Sequence, residues 1–184
     1  YSIEWAGQFE NQVRANNRLM ILVPLSLLIN LLIIYLGLGN LRNAAIIFSA
    51  IPLALSGGMI FLFLGGFNTS VAVWVGFIAL FGIAVDDGVV MMSYLQESLK
   101  KNAPNDWASI KEAVIEAGAR RIRPLVMTTI TTIVALVPIM WTTTTGSEII
   151  KPMALPVVGG MVFEFITLFM VPLTFAYFEK RKLS

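Results

Sequence analysis

The chain has 184 residues, of which 57% are hydrophobic and 13% charged, and its net charge is +2. Soluble globular domains carry about 25% charged residues, so this composition favours a membrane protein. Because there is no Cys or His, disulfides and metal sites built on thiolate or imidazole are excluded. The basic residues flank apolar runs instead of forming a nucleic-acid-binding face. Since the chain starts at Tyr1, without Met or a signal peptide, we expect it to be a piece of a longer polypeptide.

Five apolar segments are long enough to cross a bilayer, because a hydrocarbon core about 30 Å thick needs about 20 residues of helix. We therefore predict an all-α, polytopic membrane helix bundle. The transmembrane domain covers 19–177, with residues 1–18 as a periplasmic linker that leads into the first helix and 178–184 as a cytoplasmic tail. The predicted spans are about 19–37, 44–64, 71–95, 125–141 and 153–177.

The long polar segment between the third and fourth spans contains a helical pattern. Its apolar residues are spaced for one helix face at Trp107, Ile110, Val114 and Ala117. We predict an amphipathic helix at about 105–120 on the cytoplasmic membrane surface. A plain solvated connector is the alternative.

The distribution of Lys and Arg predicts the orientation of the chain in the membrane. With five spans, three basic residues lie on one side (Arg14, Arg18, Lys151) and ten on the other (Arg42, Lys100, Lys101, Lys111, Arg120, Arg121, Arg123, Lys180, Arg181, Lys182). The basic residues around the first helix alone would favour the opposite orientation, but those in the later loops are more numerous. We therefore predict that the side with ten Lys and Arg residues is cytoplasmic. Trp74 and Trp141 then lie at the outer ends of their spans, where amphipathic rings are enriched.

The stretch GIAVDDGVVMM, residues 82–92, places Asp86 and Asp87 inside the third span. A charged Asp near the bilayer centre costs about 2.5–3.5 kcal/mol on insertion scales. Adjacent helical residues diverge by about 100°, so the two acids cannot share one partner, and both must face protein or water. Acids this close are expected to titrate as a unit, which suits a proton-coupled machine. Alternatively, they only hold a helix interface together through hydrogen bonds.

The two acids also differ in their predicted surroundings. Asp86 shares a helix face with the small residues Ala79 and Gly82, whereas Asp87 shares its face with bulkier residues such as Met91. We therefore predict that Asp86 carries the proton and that Asp87 sets its affinity or holds the helix.

Further polar residues lie in the last two spans. Glu164 is near the middle of the fifth span with no basic neighbour in sequence. The fourth span contains four Thr within five residues (Thr128, Thr129, Thr131, Thr132). This stripe could pass a proton, or its hydroxyls could bond to their own helix. We interpret the nine Met residues as packing and not as soft metal ligands. An intramembrane aspartyl protease is excluded because both Asp are on one helix.

Three stretches, GIAVDDGVVMMSYL, RRIRPLVMTTITTIVALVPIMW and TGSEIIKPMALPVVGGM, resemble the last part of a resistance–nodulation–division (RND) efflux pump. The opening YSIEWAGQFENQ resembles the segment that leaves the second periplasmic domain in the heavy-metal branch, the copper/silver and cobalt/zinc/cadmium exporters. The resemblance implies that the chain supplies helices eight to twelve of about twelve. The nearest alternative is an RND exporter of drugs or other organic compounds.

The resemblance also implies a function. The chain would be part of a heavy-metal cation/proton antiporter, a transporter and not an enzyme, with no catalytic residue or cofactor, and with its metal-binding residues outside the chain. Asp86 and Thr128 match relay positions of the family, with Asp87 and Glu164 as further relay candidates. Some copper members have Lys where Leu125 stands here. The resemblance implies that the chain lies in the bacterial inner membrane, in contact with lipid and with the rest of the pump polypeptide. It also implies that the pump is a homotrimer that joins a periplasmic adaptor and an outer-membrane channel.

Overall fold

The computed structural model describes residues 8–102 and 106–183, which form six α-helices and no strands. The helices are α1 Gln8–Leu38, α2 Leu41–Phe48, α3 Ala50–Leu64, α4 Val71–Asn102, α5 Trp107–Trp141 and α6 Ser147–Leu183. Five stretches are long and apolar enough to cross a membrane, α2 and α3 together making one of them. The prediction of an all-α bundle with five membrane-length helices is confirmed.

The helices extend beyond the predicted spans. α1 begins at Gln8, inside the predicted linker, and α6 continues to Leu183, inside the predicted tail. Helical hydrogen bonds are made within the segment itself, so a span need not end where the apolar residues end. The predictions for residues 1–7, for position 105 at the start of the surface helix and for residue 184 lie outside the described residues.

The second span is interrupted at Ser49, between α2 and α3. Pro52 follows three residues later and has no N–H to donate to the carbonyl of Phe48, so one helical hydrogen bond is missing at this point. The hydroxyl of Ser49 donates to the carbonyl of Ile46 at 2.6 Å. α2 is capped at its start by Asn40, whose side chain accepts a hydrogen bond from the backbone N–H of Arg42.

The predicted surface helix and the fourth span are one continuous helix, α5. It begins with a capping box. The side chain of Asp106 accepts a hydrogen bond from the backbone N–H of Trp107, and the hydroxyl oxygen of Ser109 accepts one from the backbone N–H of Asp106. The apolar stripe is buried at Ile110 and Ala117, and the hydroxyl of Ser98 in α4 donates to the carbonyl of Ala113 at 2.9 Å. Because α4 runs on to Asn102, the stripe packs against α4. Contact of this part of α5 with the membrane surface stays a prediction.

Glycines allow α6 to approach α3 and α4 closely. A Cβ atom on Gly159 would lie 2.6 Å from the carbonyl oxygen of Gly57, and one on Gly57 would lie 2.7 Å from the carbonyl oxygen of Gly159. Gly76 of α4 packs in the same way against the backbone of Met153. Small residues at helix crossings are the usual means of tight packing in membranes. α6 is therefore held at the centre of the bundle, which fixes the position of Glu164.

Ionic and cation–π contacts join three helices at one end of the bundle, called here the basic end. Arg42 at the start of α2 pairs with Glu179 near the end of α6 at 2.7 Å. Lys180 lies 5.1 Å from the ring centroid of Trp107 at the start of α5. These contacts place the flanks that contain most of the basic residues at the same end, as the span count predicted.

Candidate functional site

Asp87 is buried and paired with a cation. Its residue is 9% exposed, and its Oδ1 accepts a hydrogen bond at 3.1 Å from Nη2 of Arg121 on α5. A charge removed from water is costly unless it is paired. The Arg121 guanidinium therefore allows an acid to lie inside the bundle at this position.

Sequence reasoning missed Arg121, because we counted it only as a basic loop residue. Arg121 lies four residues before Leu125 in the same helix, and positions four apart share a face. The face of α5 that contains Leu125 thus also contains the positive charge that pairs with Asp87. The four-residue spacing between Arg121 and Leu125 could have indicated this position from the sequence, but only if the helix was predicted to continue through Pro124.

Glu164 of α6 faces Asp87 from the other side. It is 2% exposed, and within the described part of the chain neither of its carboxyl oxygens makes a hydrogen bond of standard geometry. Asp87 and Glu164 nevertheless come together in the bundle. Both line one small cavity with space of about 10 Å³, roughly room for a single water molecule. The other lining residues are Ala50, Ala84, Gly88, Met91, Leu125, Thr167, Leu168 and Val171.

Asp86 points elsewhere. It is exposed, as are Ala79 and Gly82 on the same face of α4, and a Cβ atom on Gly82 would meet nothing within 4 Å. The 100° turn between neighbours therefore places the two acids in different environments, Asp86 on an open face and Asp87 in the interior. This arrangement agrees with the surroundings predicted from the sequence.

The Thr hydroxyls of α5 bond to their own helix. Thr128 is exposed and donates to the carbonyl of Leu125 at 2.8 Å, while the fully buried Thr129 donates to the same oxygen at 2.9 Å. Thr131 and Thr132 also donate to carbonyls within α5. The structure does not bring Thr128 into hydrogen-bonding contact with Asp86, Asp87 or Glu164. Its hydroxyl oxygen can still accept a hydrogen bond from outside the helix.

The arrangement combines three carboxyl groups with one guanidinium inside membrane-length helices. Among residues 8–102 and 106–183, no group of three or more acidic side chains is arranged to hold a metal ion. The carboxyl groups of Asp86, Asp87 and Glu164 can bind and release protons, whereas the guanidinium of Arg121 stays charged and can only balance a carboxylate.

The chain matches known proteins along nearly its whole length. The model of the AcrB/AcrD/AcrF family matches residues 1–179. The cation efflux system protein CusA of Escherichia coli K12 is 39% identical over 178 residues, which cover 93% of this chain and 17% of CusA. The nickel-cobalt-cadmium resistance protein NccA of Alcaligenes xylosoxydans is 39% identical over 171 residues, which cover 92% of this chain and 15% of NccA.

The fold matches as well. A crystal structure of a heavy metal efflux pump superimposes with a TM-score of 0.81 at 34% sequence identity, covering 97% of this chain and 18% of that one. The chain thus spans about one sixth of the length of these proteins. It belongs to the AcrB/AcrD/AcrF family, in the heavy-metal efflux branch of the RND transporters.

Proposed function

We propose that the chain is the C-terminal membrane portion of a proton-driven exporter of heavy-metal cations, an RND-type metal/proton antiporter. The observation that carries the proposal is the set of acids within the spans, with Asp86 on an open face and Asp87 and Glu164 in the interior. Ionisable residues in membrane spans are costly and commonly mark proton or ion pathways. The names of the similar proteins, which refer to cation efflux and to nickel, cobalt and cadmium resistance, support metal as the exported substrate.

Each relay candidate has a role that follows from its surroundings. Asp86 takes up and releases protons, because a carboxyl on an open face can be reached by water or by a partner helix. Asp87 and Glu164 hold charge in the interior, where the guanidinium of Arg121 balances only one carboxylate. Thr128, on the exposed side of α5, supplies a hydroxyl oxygen that can accept a hydrogen bond from a neighbouring group or water.

The chain is a multi-pass membrane protein, and we place its basic end in the cytoplasm. Lys and Arg are enriched in cytoplasmic loops, and the contacts of the basic end include Arg42 and Lys180. The proposed location is the bacterial inner membrane. The proposed partners are lipid, the rest of the pump polypeptide, two further copies of the pump, a periplasmic adaptor and an outer-membrane channel.

The substrate class can be tested with the intact pump in lipid vesicles that contain a pH-sensitive dye. With a proton gradient imposed, we expect proton flux to depend on Cu(I), Ag(I), Co(II), Zn(II) or Cd(II). Glu97→Gln, which removes an exposed acid from the same helix as Asp86, should leave the flux unchanged. Flux driven by organic dyes or bile salts and not by any metal would contradict metal export and favour the drug-exporter alternative.

A further inference from the structure

We propose that Asp87 and Glu164 form a second proton-binding site, in which one proton is shared between their carboxyl groups, separate from the site at Asp86. The inference deepens the proposed function, because it names where a second proton is held within this half of the pump. It concerns proton binding alone, so it can be tested without transport.

The first support is the enclosure of Glu164. Its side chain is almost fully buried and both carboxyl oxygens lack a hydrogen bond of standard geometry within the described residues. A buried polar group of this kind requires a partner. The titratable group that lines the same cavity is Asp87. The hydroxyl of Thr167 does not fill the need, because it donates to the backbone carbonyl of Glu164 at 2.7 Å.

The second support is the charge balance around the cavity. α5 contributes the guanidinium of Arg121, α4 contributes Asp87 and, further away, Asp86, and α6 contributes Glu164. α3 contributes only Ala50 to the lining. One cation compensates one carboxylate, so a single proton makes the set of Arg121, Asp87 and Glu164 neutral. Two carboxyl groups that share a site avoid ionising together.

The transfer within the pair is a simple exchange. When the O–H bond of Glu164 breaks and an O–H bond forms on Asp87, the negative charge moves from Asp87 to Glu164, and no other reactant is consumed. The cavity has roughly the space of one water molecule, so the proton can pass directly or through one bridging water. Asp86 does not line this cavity.

Infrared difference spectroscopy of the intact pump in lipid bilayers at neutral pH, without metal, tests the proposal. The signal is the carbonyl stretch of a protonated carboxyl group, identified by its shift in D2O. We expect this band to be lost in Glu164→Gln, to be shifted in Asp87→Asn because the hydrogen-bond acceptor changes, and to persist unchanged in Asp86→Asn. Asp87→Asn keeps the proposal testable if Glu164→Gln fails to fold.

Three results would overturn the inference. A band that persists in Glu164→Gln places the proton elsewhere, and a band lost in Asp86→Asn assigns it to the open face. A band that is unshifted in Asp87→Asn shows that Glu164 holds its proton alone. The infrared measurement needs no metal, so it is independent of the transport assay. If the spectra are as expected but the pump transports no metal, the proposed function is refuted and the shared proton is retained.

Discussion

Replacing Arg121 with Gln should destabilise the folded chain by about 3 kcal/mol. Breaking a buried ion pair by removing one partner costs roughly 3–5 kcal/mol, because an uncompensated charge remains. The lower end applies here, since the Arg121 and Asp87 side chains are 16% and 12% exposed. The free energy of unfolding can be measured by SDS titration in mixed micelles.

The neighbouring residue supplies a matched control. Arg120 pairs with Glu116 at 2.6 Å, a shorter distance than the 3.1 Å between Arg121 and Asp87, but those side chains are 61% and 48% exposed. Exposed pairs of this spacing contribute about 0.3–0.5 kcal/mol, so Arg120→Gln should cost no more than that. The double variant Asp87→Asn/Arg121→Gln should recover most of the loss. Equal losses in the two Arg variants, or strictly additive effects in the double variant, would refute the reasoning from burial.

Three further predictions concern the fold. Gly159→Ala should destabilise the bundle by about 1–3 kcal/mol, because the added methyl group overpacks against α3. Gly118→Ala is the control: its added Cβ has nothing within 4 Å, so it should be neutral or stabilising by up to about 1 kcal/mol. The same SDS titration compares the free energies of unfolding of the two variants. Asp106→Ala should remove the cap of α5 at a cost of about 1 kcal/mol, seen as faster amide hydrogen exchange in its first turn. Single Cys residues at Asn68 or Thr144 should react with impermeant reagents only from the periplasm, and labelling from the cytoplasm would reverse the proposed topology.

The helical content and the five spans could be predicted because they depend on local properties, namely run length and hydrophobicity. The opposite surroundings of Asp86 and Asp87 also followed from the sequence, since the angle between adjacent helical residues is fixed. The exact helix ends did not follow, because the polar flanks are as compatible with helix as with loop. Composition alone did not reveal that the second span is interrupted near Pro52 while α5 continues through Pro124.

The partners of the acids could not be predicted, because they come from other helices. Arg121 lies 34 positions from Asp87 in the chain, and its contact depends on how α4 and α5 pack. The close approach of Glu164 depends in turn on the glycine crossings that bring α6 to the centre. Thr128 was selected by resemblance and lies on the exposed side of α5, so its part in the relay stays a prediction.

The most direct test of the relay is a comparison of Asp86→Asn with Asp87→Asn in the intact pump, measured as metal-dependent proton flux in vesicles and as metal resistance in cells. We predict that Asp86→Asn abolishes both while the protein remains folded and inserted, and that Asp87→Asn reduces both and shifts their pH dependence. An inactive Asp87→Asn pump beside a nearly normal Asp86→Asn pump would contradict the account, because the open-face carboxyl would then not be the proton carrier.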